Sequence, residues 1–130
     1  MPEDWTGSRY SAVNFDRGGK KPKVAGNVTL IEGWFDATLP PFLAQNSGQI
    51  GLLHVDCDIY SSTKTVLDLC VPRLASGAVI VFDEFFNYKG YELHEYKAFF
   101  ELVERFDLAY RFIGYAGQQV SLVVEAVRRS

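Results

Sequence analysis

Two short apolar runs, each closed by acids, constrain this chain more than anything else in it. The first is Gly51 to Asp58, GLLHVDCD, and the second is Ala78 to Glu84, AVIVFDE. Neighbouring parallel strands of an open α/β sheet are covered on both faces and read as near-continuous apolar runs. Ligands bind outside the carboxyl ends of such strands. Asp56, Asp58, Asp83 and Glu84 all stand at that end. Strands laid side by side bring these acids to one spot, and convergent carboxylates suit a hard divalent cation such as Mg2+ or Ca2+.

The segments around the two runs complete an α/β pattern. Ile50 to Val55 and Ala78 to Phe82 read as strands. Val66, Leu67, Cys70, Val71 and Leu74 recur between them at helical spacing. Ser61 or Ser62 is a suitable N-cap for that helix, Pro72 should end it near Val71, and Ser76 with Gly77 should turn the chain. This strand–helix–strand unit has the usual size of about 30 residues. Upstream, Val28 to Ile31 reads as a further strand, followed by an interrupted helical turn through Pro40, Pro41 and Leu43. Downstream, an aromatic loop from Phe85 to Tyr91 leads into a helix from about Glu92 to Phe106. Leu93, Tyr96, Phe99, Phe100 and Val103 form its apolar face, with Glu101 and Arg105 as an i,i+4 pair opposite. Tyr110 to Ile113 and Val120 to Ala126, with a turn at Tyr115 to Gly117, read as a terminal antiparallel hairpin.

Length and composition narrow the classes. A chain of 130 residues, 48% hydrophobic, is one domain with a core. Residues 1–26 are loop-like in composition, and their basic cluster of Arg17, Lys20, Lys21 and Lys23 is either solvated or an anion cradle. A net charge of −3 argues against broad nucleic-acid binding. No apolar stretch approaches the ~18 residues that span a membrane. Cys57 and Cys70 make no disulfide framework, and no secretory signal is visible, so the expected setting is cytoplasmic.

Two readings of the acids stand side by side. Asp56 and Asp58 are two apart, and strand residues two apart face the same way. Asp83 and Glu84 both reach the same site only from a turn. Acids after strands also cap the helices that follow, through the positive end of the helix dipole, and Asp58 is placed for that. His54, inside a strand, reads as buried or hydrogen-bonded. His94, just past the aromatic loop, has the unperturbed pKa range of a general base. Cys57 reads as pointing into the core.

The runs HVDCDIYSSTKTVLDL, AVIVFDEFFNY and HEYKAF, with the upstream PEDW and TLIEGWFDATLPPFL, resemble the C-terminal part of the macrocin O-methyltransferase family. These are class I S-adenosylmethionine-dependent methyltransferases, some of which need Mg2+. The resemblance covers nearly the whole chain and is most specific from Leu53 to Tyr88. It implies a Rossmann-like methyltransferase sheet, with S-adenosylmethionine and a divalent cation as cofactors. Asp56, Asp83 and Glu84 would be the metal ligands, Asp56 or a nearby group the proton acceptor, and Gly33, Trp34 and Phe35 the wall near the adenine. Related catechol-type enzymes carry Asn at the third ligand position, where this chain has the longer, charged Glu84.

The chain departs from the family pattern in one respect. No glycine-rich loop follows a strand, and its Gly-Gly pair, Gly18-Gly19, lies in the basic loop. The resemblance therefore implies a single partial methyltransferase domain without the family's first two strands. The strand at Ile50 to Val55 would then lose its neighbour, and an unpaired apolar edge invites another chain. That predicts a homo-oligomer through the strand edge, or a rearranged third strand in the gap. The acceptor is expected to be a hydroxyl of a sugar or small molecule. Two competing readings are a metal-dependent glycosyltransferase, from the D-x-D, and a non-catalytic remnant that associates with other chains.

Overall fold

The computed structural model describes residues 22–129; the Gly18-Gly19 pair, most of the basic cluster and most of the N-terminal loop lie outside them. The elements are α1 (Phe35–Gln45), β1 (Ile50–Val55), α2 (Tyr60–Cys70), β2 (Leu74–Phe82), α3 (Glu95–Phe106), β3 (Leu108–Ala116) and β4 (Gln119–Val127). Single 3-10 turns at Val71–Arg73 and Tyr91–Leu93 follow α2 and precede α3. The strands form one mixed sheet in the order β1-β2-β4-β3. β1 and β2 are parallel, and β4 runs antiparallel to both β2 and β3. The expected strand–helix–strand unit and terminal hairpin are both present.

Several local expectations need correction. Val28 to Ile31 is not a strand: it pairs with nothing, and Val28, Leu30 and Ile31 are all exposed. A strand needs a neighbour to satisfy its backbone, and none lies beside this segment among the described residues. β2 starts at Leu74 rather than Ala78. Ser76 and Gly77 make an irregularity within it instead of a turn before it. The register jumps from Ile50↔Leu74 to Leu52↔Val79, and Gly77 takes φ +86. α2 begins at Tyr60, one turn-position ahead of the expected serines, with Ile59 as N-cap and no side-chain cap. Ile59 is 2% exposed, so burial fixes that helix start in place of a hydroxyl.

The prolines of α1 do not interrupt it, since Pro40 and Pro41 both lie inside the helix. Its carboxyl end is held by Arg73, whose guanidinium donates to the carbonyls of Leu43 (2.8 Å), Asn46 and Gly48 (3.0 Å). A cation there also complements the negative end of the helix dipole. The two-residue turn of the hairpin is Gly117–Gln118, with Gly117 at φ +60.

The core lies where α2 and α3 cover the sheet. The expected apolar positions of α2, Val66, Leu67, Cys70 and Val71, are all buried. α3 is rotated from the expected face: Glu95, Ala98, Phe99, Leu102 and Phe106 point inward, while Leu93 falls in the preceding 3-10 turn and is exposed. Tyr96, Phe100 and Val103 pack at the margin of the core. Glu101 and Arg105 take other partners than each other. Tyr60 Oη donates to Glu101 at 2.7 Å, and Arg105 pairs with Asp68 at 3.0 Å, so both tie α3 to α2. Phe99 sits at the centre, its ring 5.0–5.9 Å from those of Phe82, Phe85, Phe100 and Tyr110.

Among the described residues β1 is an edge strand and is not covered on both faces. Gly51, Leu52 and His54 are exposed, Leu52 at 64%. Core and edge should respond differently to substitution. Phe99→Ala should lower stability by about 3–5 kcal/mol, because a fully buried ring leaves a cavity. At concentrations where the chain is monomeric, Leu52→Lys should change it by less than about 0.5 kcal/mol. Urea unfolding monitored by circular dichroism checks both values.

Candidate active site

β1 ends at Val55 and β2 at Phe82, and these two residues are register partners. The ladder continues one step further, with Asp83 N–H donating to Val55 O at 3.0 Å. That step sets Asp56 beside Asp83. Burial raises the Asp56 carboxyl above its ordinary range, and the Asp83 charge and a hydrogen bond to Asp83 raise it further, while His54 pulls the other way. Asp58 is pushed up to about 6 by burial, then by Asp56 and Asp83. Glu84 is pushed up to about 7 by burial, then by Asp83 and Asp58. Each of these three raised acids thus feels the charge of Asp83 at the ends of the two strands.

The way they are placed differs from simple alternation. β1 stops before the D-x-D, and Asp58 takes φ +69, a left-handed conformation that Asp tolerates better than most residues. It is a turn, not a continued strand, that brings Asp58 round. The N-cap of α2 is Ile59, with no side-chain cap hydrogen bond, and Asp58 stands one residue before it. Among the described residues no group of three or more His, Cys, Asp or Glu is placed to hold a metal ion. The donor chemistry nonetheless suits one: the acids are all oxygen donors, and Glu84 Oε2 is buried with no hydrogen-bond partner.

The other candidates fall in varied places. His54 is half exposed, contrary to the buried reading, because it lies on the edge strand; its Nε2 is 4.0 Å from Asp83 Oδ1. His94 is buried at the N-cap of α3, its ring stacked on Tyr88 at 6.3 Å. Cys57 packs against the core, and burial pushes its thiol up to about 12, which leaves it unreactive. Gly33, Trp34 and Phe35 form the entry to α1. Gly33 has φ +129, and a Cβ there would meet Thr38 Cγ2 at 2.7 Å, so only glycine fits that bend. Trp34 and Phe35 are 65% and 42% exposed, leaving two aromatic faces uncovered.

Two residues of the site escape a reading of strand ends alone. Glu95 is fully buried, and its Oε1 accepts the backbone N–H of Glu84 at 2.9 Å. The backbone of Asp58 also pulls its pKa down, so the same carboxyl stands against the loops after β1 and β2. Burial pushes it up to about 8, against the pull of those two backbone groups. The signal was an acid in register with the buried positions Ala98, Phe99, Leu102 and Phe106 of α3. Gln119, at the start of β4, donates from Nε2 to Asp83 Oδ1 at 2.6 Å.

A raised carboxyl pKa gives a definite sign. The folded state favours the protonated acid, so this contribution is fully present below the ordinary range, near 4.5, and is lost as pH rises through about 8 for Glu95. Glu95→Gln should therefore flatten the fall in stability between about pH 5 and pH 9 while keeping an acceptor for the Glu84 N–H. Urea midpoints across that range, for the native chain and the variant, provide the check.

Comparison with known proteins follows this geometry. A family model described as a methyltransferase domain matches residues 3–85. The 8-demethyl-8-(2,3-dimethoxy-alpha-L-rhamnosyl)-tetracenomycin-C 4'-O-methyltransferase of Streptomyces olivaceus is 32% identical over 73 residues, which cover 56% of this chain and 26% of that protein. Two structures of CalS11 align with a TM-score of 0.59 and 28% identity over 72% of this chain. CalS11 is described as a TDP-rhamnose 3'-O-methyltransferase of calicheamicin biosynthesis. This chain spans about a quarter of the curated relative's length, and 39% and 36% of the two solved chains. The sheet β1-β2-β4-β3 with its two covering helices is accordingly part of a Rossmann-like methyltransferase fold. Since the family match takes in well over half of its length, the chain belongs to the methyltransferase-domain family.

Proposed function

We propose that this chain carries the acceptor side of an S-adenosylmethionine-dependent O-methyltransferase that acts on a sugar hydroxyl. The observation that carries the reading is the placing of Asp56 beside Asp83 at two adjacent parallel strand ends, with Asp58 and Glu84 next to them in sequence, in a chain of methyltransferase family. The named acceptors of the relatives, both rhamnose-bearing, supply the substrate class. Family membership favours methyl transfer over glycosyl transfer for the D-x-D.

S-adenosylmethionine would bring the methyl group on a sulfonium, and the protein contributes binding, alignment and a proton acceptor. Trp34 and Phe35, uncovered at the bend fixed by Gly33, suit the flat face of an adenine. Asp56 is the base: the carboxyl is half open to solvent, and its raised pKa makes it a better acceptor of a hydroxyl proton than an ordinary Asp. His94, buried against Tyr88, is the second candidate base. A divalent cation, if taken up, would be held by Asp56, Asp83 and Glu84, where it would supply Lewis-acid polarisation of the acceptor oxygen.

The bare edge of β1, with Leu52 at 64% exposure, is the proposed contact of a homo-oligomer. Leu52→Lys should then shift the chain to a smaller species in sedimentation velocity; a native chain that is already monomeric sinks the idea.

Calorimetric titration of S-adenosylmethionine, with and without Mg2+, tests the main reading. Binding is expected to strengthen at least about tenfold with Mg2+ and to lose that gain in Asp56→Asn. Mg2+ should also release protons, seen as a buffer-dependent heat, because the raised acids must ionise to hold it. Binding of S-adenosylmethionine without any metal response would leave the methyltransferase reading and remove the cation from it.

A further inference from the structure

We propose that Gln119 is a positioning residue of the acid site: its side-chain amide holds the Asp83 carboxylate in one rotamer beside Asp56, so that the two acids address one acceptor. What the acids do there rests on the methyl-transfer reading above; the hold on Asp83 does not.

The sheet supplies the placement. Phe82 of β2 is in register with Val55 of β1 on one side and with Val120 of β4 on the other, and all three are buried. Successive strand residues alternate faces, so the next position along turns away from that core. One step past Phe82 stands Asp83, with Asp56 on its β1 side and Gln119 on its β4 side. The three form a row across neighbouring strand ends, and directly opposed side chains in such a row meet. Gln119 Nε2 donates to Asp83 Oδ1 at 2.6 Å, a short bond of the kind a carboxylate acceptor makes. Holding one carboxylate oxygen restrains rotation about both side-chain bonds of Asp83.

Asp83 needs such a hold because a like charge stands beside it. A carboxylate free to rotate next to Asp56 would turn from its neighbour. Glu95 does not supply the restraint: it accepts the backbone N–H of Glu84, which sets where the loop runs and leaves the Asp83 side chain to rotate. Nor is the Gln119 amide what joins the hairpin to β2. The ladder from Val79↔Val123 to Phe82↔Val120 does that. Phe85 and Phe86 N–H add to it by donating to Gln118 O at 2.9 and 3.4 Å, and Asn87 Nδ2 donates to Gly117 O at 3.3 Å. Gln119 is exposed, and its backbone is anchored by its register with Ala116 across the turn. The side chain can therefore be changed without disturbing the strand that carries it.

The test reads the Asp83 rotamer directly. Three-bond NMR couplings from the backbone nitrogen and carbonyl carbon to Asp83 Cγ are recorded for the native full chain, Gln119→Leu, Gln119→Asn and Ser121→Ala. Leu removes the donor at similar volume, and Asn keeps the amide but shortens its reach by one methylene. Ser121 is the control: it lies on the same strand, and its hydroxyl donates to Gly114 O at 3.4 Å. Native and Ser121→Ala should show one staggered rotamer, and both Gln119 variants averaged couplings, with urea midpoints within about 0.3 M of native. The gain in S-adenosylmethionine affinity with Mg2+ should fall at least about threefold in Gln119→Leu, the loss expected for one hydrogen bond. A native-like single rotamer in Gln119→Leu overturns the proposal. Averaging in Ser121→Ala also overturns it, by making the hairpin as a whole the restraint. A released Asp83 with the native Mg2+ gain overturns it too, since the orientation would then serve nothing at the site. A native chain with no Mg2+ gain, whose Asp83 is still released by Gln119→Leu, removes the cation from the functional reading and keeps Gln119 as the group that orients the acid. A native chain that binds no S-adenosylmethionine removes the methyltransferase reading, and the couplings alone then decide the role of Gln119.

Discussion

The loops that follow β1 and β2 both carry acids, and like charges at the ends of neighbouring strands push apart. What opposes that push is one carboxyl, Glu95, which accepts the backbone N–H of Glu84 and stands against the backbone of Asp58. Glu95 comes from α3, and α3 is fixed in turn by Phe99, Leu102 and Phe106 in the core and by the Tyr60–Glu101 and Asp68–Arg105 links to α2. The geometry of the acids thus inherits the rigidity of the core. The cost is a fully buried acid close to other acids, and its carboxyl is pushed up to about 8 as a result. A carboxyl that stays protonated near neutrality adds no further negative charge to the cluster it organises.

The sheet distributes exposure unevenly. β2 lies between β1 and β4 and is buried at Leu74, Ala78, Ile80 and Phe82, so the acids that follow it start from a fixed base. Among the described residues β1 has one neighbour, and Leu52 on it is exposed. Val28, Ile31, Trp34 and Phe35 are exposed as well. At the opposite end of the sheet, the hairpin adds a second uncovered apolar surface at Phe112 and Tyr115, and there the aromatic loop from Phe85 curls over to make a cavity.

What was legible in the sequence followed from patterns that one element carries alone. The helical spacing of Val66, Leu67, Cys70 and Val71 places α2 because a helix satisfies its own backbone. The acid-terminated runs place β1 and β2, and with them the convergence of Asp56 and Asp83. What failed depended on neighbours. Val28 to Ile31 has the composition of a strand, but composition does not provide a pairing partner. The apolar stripe of α3 was read one position off, because Tyr96 and Phe100 mimic core residues while lying at its margin, and the inward acid Glu95 broke the pattern. His54 was read as buried or hydrogen-bonded from its place in an apolar run, but on the outermost strand of the described sheet it is half exposed. In each case a tertiary neighbour, present or missing, overrode the local preference.

Proton and cation compete for the same place in this site. The Asp83 charge beside Asp56 raises the Asp56 pKa, since two like charges at neighbouring strand ends resist ionising together. With Asp58 near 6 and Glu84 near 7, the cluster is part-protonated around neutral pH. In that state Asp56 can accept a proton from a hydroxyl only while it is the ionised partner. A divalent cation would lower every one of these pKa values together, since each charge repels the others less once a positive charge sits among them. Holding a cation and acting as a base are therefore not independent roles for Asp56. The carboxyl that polarises the acceptor through a cation is a weaker proton acceptor than the same carboxyl left among its acidic neighbours.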